Sequence, residues 1–155
     1  MTRPSLLPWS AALTALALTC LAPAAGRADS ARQEANKKLV VEFYEKAINQ
    51  KDFEAAKPYF GDRYIQHNPT APDGIEGFKA FLQFLRDKFP QSHSEIKRAF
   101  AEGDYVMLHV HSVREPGSRG AAIVDIFRLE NGKIVEHWDV RQDVPEKAAN
   151  PNGMF

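Results

Sequence analysis

The sequence predicts an α+β fold, and three observations predict it. Apolar residues recur at helical spacing as far as Phe89. Beyond Pro90 the period changes from about 3.6 residues to about 2. The two patterns are segregated along the chain rather than alternating, which favours helices packed on an antiparallel sheet over βαβ units.

Leu39, Val40, Phe43, Tyr44, Ala47 and Ile48 put an apolar stripe on a helix over residues 36–50. The polar stretch 31–38 reads as its frayed lead-in. Asp52 can cap a short second helix carrying Phe53, Ala56, Tyr59 and Phe60, and Pro58 and Gly61 limit its length. Asn68-Pro69 and Pro72-Asp73-Gly74 mark a loop. Asp73 and Glu76 have capping-box spacing. The helix after them places Ile75, Phe78, Phe81, Leu82, Leu85 and Phe89 on one side, and Pro90 stops it.

Residues 95–100, 105–114, 121–129 and 133–141 alternate as strands. Gly103-Asp104, Pro116-Gly117 and Asn131-Gly132 separate them, and Asn-Gly is a strong hairpin signal. Met107, His109, His111 and Val113 share one strand face, opposite Val106, Leu108 and Val110. Ile123, Asp125 and Phe127 share a face of the next strand. Both faces are largely apolar, whereas a sheet with one wet face alternates cleanly. Helices cover only one side, so a second subunit is expected on the other, giving a homodimer. On the last strand, Ile134, Glu136, Trp138 and Val140 form the more apolar set and are expected to face inward, with His137 and Asp139 outward.

The start of the chain reads as an export signal over residues 1–28. Arg3 is followed by an uncharged apolar run over 11–21 and small residues at Ala22, Ala24 and Ala28. The run is shorter than the roughly 20 residues a spanning helix needs. Export predicts a periplasmic or secreted protein with no membrane contact after processing. The single cysteine, Cys20, would leave with the signal, so the mature chain is expected to have no disulfide. Lysine and arginine total 20, against 20 acidic residues, and the leader carries only Arg3 and Arg27 of the former. That balance gives no reason to expect a nucleic-acid partner. A domain over 36–144 and a tail over 145–155 complete the expected organisation.

Asp125 is the most informative residue for function. It stands mid-strand between Val124 and Ile126, with Ile123 and Phe127 on its own face. Burial raises a carboxyl pKa and makes it a usable general acid–base. His109 and His111 share a face, and an imidazole pair beside that carboxyl would supply hydrogen-bond donors. His67 and Asn68, at the mouth of the loop, would position a ligand. Phe127 and Trp138 would form an apolar wall. Gly103, His109, His111 and Glu115 are spaced like the first half of the cupin metal motif, but the second half is absent. No metal or cofactor is expected.

Phe43-Tyr44, the run Tyr64-Ile65-Gln66-His67-Asn68-Pro69 and the long stretch from Ile123 to Val140 resemble the SnoaL-like polyketide cyclases of the NTF2-like superfamily. The resemblance implies a cone, with N-terminal helices packed in a curved antiparallel sheet around a deep pocket. It implies a pocket aspartate acting as acid–base in a metal-free, aldol-type ring closure, at Asp125. It also places His109 and His111 beside that aspartate and His67 in the pocket wall. The expectation is a small-molecule enzyme acting on a carbonyl compound as cyclase or isomerase. The alternatives are a non-catalytic small-molecule-binding protein of the same fold and a metal-dependent, cupin-like enzyme.

Overall fold

The computed structural model describes residues 24–155, so most of the expected export signal lies outside the described residues. The order is α1 (Ala24–Tyr44), α2 (Phe53–Ala56), β1 (Phe60–Gln66), α3 (Gly74–Lys88), β2 (His93–Glu102), β3 (Tyr105–Val113), β4 (Ala121–Glu130) and β5 (Lys133–Asp143). The helices pack against one face of a curved five-stranded sheet of order β1-β5-β4-β3-β2. Among the described residues, no helix is long and apolar enough to cross a membrane.

Helix α1 starts earlier than its apolar stripe, and 31–38 is regular helix rather than frayed. It ends in a π turn, Glu45–Asn49, where Gln50 N–H donates to the Glu45 carbonyl at 3.0 Å. That turn delivers Asn49 to the sheet. Its Oδ1 accepts from Ser94 N–H at 2.8 Å and its Nδ2 donates to the Ser94 carbonyl at 3.0 Å. A side chain thus substitutes for a neighbouring strand at the edge of β2. Asp52 caps α2 as expected, accepting from Ala55 N–H at 3.0 Å.

Two local expectations are corrected. Phe60, expected in the short helix, instead opens a strand over 60–66 that runs parallel to β5, and the sequence assigns 61–66 to no element. Asp73 is the N-cap residue of α3 but makes no capping bond. Its Oδ1 accepts instead from Gln66 N–H at 2.8 Å, tying the loop to the end of β1. The Asn131-Gly132 hairpin forms with both residues at positive φ, 51° and 69°, as a type I′ turn requires.

Phe43 is the hub of the core. It is 1 % exposed and packs edge-on to Phe60 and Phe127, at 5.2 and 5.9 Å between centroids, and beside Phe78 at 5.6 Å. Four elements therefore converge on one ring. Val106, Leu108 and Val110 of β3 are fully buried beneath α1.

The opposite face of the sheet carries exposed apolar rows among polar ones. Phe100, Met107, Ile126 and Trp138 stand side by side across β2, β3, β4 and β5. Val124 and Val140 form the next row, and Val140 is 70 % exposed.

Candidate functional site

Register decides which residues meet. Directly opposed residues of an antiparallel pair project to the same face. Asp125 is opposite Leu108 on β3, whereas His109 is opposite Val124 and His111 opposite Ala122. The two histidines therefore lie on the outer face, away from Asp125, which corrects the expected constellation. His109 Nδ1 accepts from Arg98 Nη1 at 2.9 Å, and His111 Nε2 donates to the Arg119 carbonyl at 2.8 Å. Phe155 packs over both rings, at 5.6 and 4.4 Å.

On β5 the expected parity is reversed by a bulge. Leu129 pairs with Ile134, but Arg128 pairs with Glu136, so Val135 is an extra residue. Ile134 and Val135 are both buried. Beyond the bulge, His137 and Asp139 face inward opposite Phe127 and Asp125, while Glu136, Trp138 and Val140 turn outward. Trp138 is thus no pocket wall; it stacks on His67 at 4.4 Å with the rings 3° from parallel. His67 is held outside as well, its Nε2 bonded to Glu136 at 2.8 Å.

The inward residues line a cavity of about 490 Å³ between sheet and helices. Asp125, Asn68 and Phe127 line it, as expected; Tyr44, Tyr64, Gln66, His137 and Asp139 join them. A Cβ on Gly77 would sit 2.4 Å from the Pro72 carbonyl oxygen, so glycine lets α3 close against the loop that carries Asn68.

The hydrogen bonds in this cavity dictate one another. Asn68 N–H donates to Gln66 Oε1 at 2.9 Å, which fixes the amide orientation of Gln66. His137 Nδ1 lies 3.0 Å from the same oxygen and must carry a proton. His137 Nε2, 3.1 Å from Asp125 Oδ1, then shares a proton with that carboxyl. Gln66 Nε2 donates to the Tyr64 hydroxyl at 3.1 Å, leaving the Tyr64 proton free to donate into the cavity. Asn68 is oriented independently: its Oδ1 accepts from Thr70 N–H at 2.8 Å, and its Nδ2 lies 2.8 Å from both Asp139 oxygens.

Asp125 is 5 % exposed; its Oδ2 accepts no hydrogen bond of ordinary geometry, and the Tyr44 hydroxyl is the donor that approaches the carboxyl. Burial pushes its carboxyl above the usual range; His137 opposes this, and Asp139 adds to it. Burial, with Asp125 nearby, holds the Tyr44 phenol well above its ordinary value, and Tyr64 is raised for the same reasons. Both phenols are therefore neutral donors at physiological pH. The site pairs an unsatisfied basic oxygen with neutral donors in an enclosed, apolar-walled space.

Asp125, His137 and Asp139 each offer a ligand atom within 4.8 Å of the others, so this trio has the donor set for a divalent cation. The cupin-like spacing finds no such convergence, because His109 and His111 are engaged with Arg98, Arg119 and Phe155.

Fold and cavity define a small-molecule pocket protein of the α+β cone type. A family model described as SnoaL-like domain matches residues 40–137, more than half of the chain. The chain belongs to that family. Among solved structures, it is similar to TsrD from Streptomyces laurentii, at 22 % identity and TM-score 0.59 over 70 % of this chain and 89 % of that one. It is similar to a putative polyketide cyclase from Acidithiobacillus ferrooxidans, at 21 % identity and TM-score 0.59 over 69 % and 87 %. An uncharacterized cystatin fold protein from Novosphingobium aromaticivorans matches at 26 % identity and TM-score 0.59, over 68 % and 97 %. No curated protein matches the chain.

Proposed function

We propose that the protein is an acid–base enzyme acting on a small carbonyl compound, as cyclase or isomerase. The observation that carries this reading is the unpartnered, buried Oδ2 of Asp125. That oxygen takes a proton from the carbon next to the substrate carbonyl. Tyr64 donates its free hydroxyl proton as a hydrogen bond to the carbonyl oxygen, where negative charge develops. His137 keeps Asp125 oriented and adjusts the proton between them as Oδ2 gains its own. These roles replace those expected of His109 and His111. The same carboxyl returns the proton elsewhere in an isomerisation, or the enolate attacks a second carbonyl in a ring closure.

The test is deuterium exchange at the α-carbon of a panel of aryl ketones and keto acids, followed by NMR. Exchange above the solvent rate, lost by a factor of about 10²–10⁴ in Asp125→Asn, is expected for a general base. Equal exchange in both proteins removes Asp125 from the mechanism. Ligand binding without exchange supports the non-catalytic alternative.

The convergence of Asp125, His137 and Asp139 favours a second reading, a divalent-metal site. The Asn68 amide against both Asp139 oxygens weighs towards the proton-sharing arrangement. Elemental analysis of active protein, before and after chelation, separates the two.

The reading extends to export and to a homodimer. The leader pattern of residues 1–28 supports export, which fractionation of cells producing the full chain tests. The open apolar rows around Val124 and Val140 support pairing of sheets between two copies. Val140→Asp is then expected to shift sedimentation from dimer to monomer; a wild-type monomer at micromolar concentration overturns it.

A further inference from the structure

The charged residues lining the cavity are divided between its two ends. Asp125, Asp139 and His137 meet at one. Arg141 and Arg114 line it towards the C-terminal ends of β5 and β3. Arg141 lies two residues past Asp139 on the same inward face of β5, opposite Ile123, so roughly 7 Å further along the strand. One of its nitrogens, Nη2, pairs with Asp143 at 2.6 Å, and its other donors remain available. Arg114 follows the end of β3, with its guanidinium 5.3 Å from the centroid of the Phe89 ring. Among the described residues it makes no ion pair; Asp143, which pairs with Arg141, is not among the residues lining the cavity.

This separation of charge gives the cavity a direction. A ligand anion is repelled from the end where two carboxyls meet and attracted to the end with two guanidiniums. Guanidinium matches a carboxylate in both charge and fork geometry. Phe78, Phe81, Phe127 and Ile123 supply apolar lining, with Ile123 beside Arg141 and Phe127 on the far side of Asp125.

We infer that the pocket selects amphiphilic monoanions, with a carboxylate at Arg114 and Arg141, an apolar body along the phenylalanines and a carbonyl at Tyr64 and Asp125. The inference deepens the proposed function by naming the substrate class, and it rests on that reading only in taking the cavity as the ligand site. The bound anion would sit at least one inward residue step, roughly 7 Å, from the reacting carbon. A keto acid whose carbonyl and carboxylate are several methylenes apart meets that requirement.

The test uses 6-oxo-6-phenylhexanoate and its methyl ester, with binding to the purified protein measured by calorimetry. The acid is expected to bind at least about tenfold more tightly than the ester, a preference that weakens in added salt. Arg114→Gln and Arg141→Gln are each expected to remove most of that preference and leave ester affinity unchanged. Thermal melts of both variants confirm that they fold, and Arg114→Gln disturbs no ion pair. Equal affinity for acid and ester, failure of both to bind, or parallel loss of both in the arginine variants overturns the inference. Asp125→Asn should retain the preference for the acid, so loss of exchange in that variant bears on the acid–base reading alone.

Discussion

Replacing Asp125 by Asn should make the fold more stable at neutral pH. In the unfolded chain this carboxyl ionises near its ordinary value of 3.8, while burial holds it protonated to higher pH in the folded chain. A carboxyl raised by folding contributes stability that is fully present below pH 3.8 and is lost as pH rises through the folded-state value. At pH 7 the native protein therefore bears the cost of a buried, half-satisfied carboxyl. A buried polar group without a partner costs about 1–3 kcal/mol, and burial of the ionised carboxyl adds to that cost at neutral pH. Asparagine has the same shape, carries no charge and can donate through Nδ2 to His137 Nε2, so the bond across the sheet is kept. It still leaves one oxygen unpaired, so only part of these costs is relieved. The expected gain is about 1 kcal/mol at pH 7, or about 3–5 °C in Tm for a domain of this size. Urea melts of both proteins at pH 4, 5.5 and 7 measure it. The gain should be smaller at pH 4 than at pH 7, because lowering the pH returns the proton to the native carboxyl. A variant less stable than wild type at pH 7, or a gain that is the same at all three pH values, refutes the argument.

Three further outcomes follow from the geometry. His109→Ala and His111→Ala should leave exchange activity within about threefold of wild type, because both rings lie on the outer face; a loss on the scale of a missing general base would overturn that placement. Phe43→Ala should cost about 3–5 kcal/mol in urea unfolding, since the ring contacts helix and strand aromatics at once. Gly77→Ala should cost about 1–3 kcal/mol and reduce exchange in protein that still folds, because a Cβ against Pro72 pushes out the loop that holds Asn68 on Asp139.

The burial of Asp125 is legible in the order of residues alone. Asp125 lies in an unbroken apolar run, and a carboxylate there is either buried or out of place. Asn68 and Phe127 also line the cavity as expected. The partner of Asp125 is not legible in the same way. A period of two carried through Val135 turns His137 outward, and the bulge adds one residue there. The signal that points to the bulge is Ile134-Val135, two adjacent β-branched apolar residues where strict alternation calls for one. Tyr44 and Tyr64 are visible in the sequence only as helix and loop aromatics. The Tyr64 phenol reaches the cavity because β1 runs parallel to β5, a pairing between segments about 70 residues apart with no hairpin to announce it, and Tyr44 reaches it from α1 packed over the sheet.

By itself the sequence determined the three helices, the antiparallel meander that follows them, the Asn131-Gly132 turn and the burial of Asp125. These follow from local chemistry: side-chain period, turn-compatible residues and the hydrophobicity of immediate neighbours. Tertiary structure alone decided which strand faces coincide. It set Leu108 rather than His109 opposite Asp125, and the bulge at Val135 turned His137 inward and Trp138 outward. A strand with two apolar faces satisfies its own periodicity in either orientation, so only packing against distant segments fixes the register.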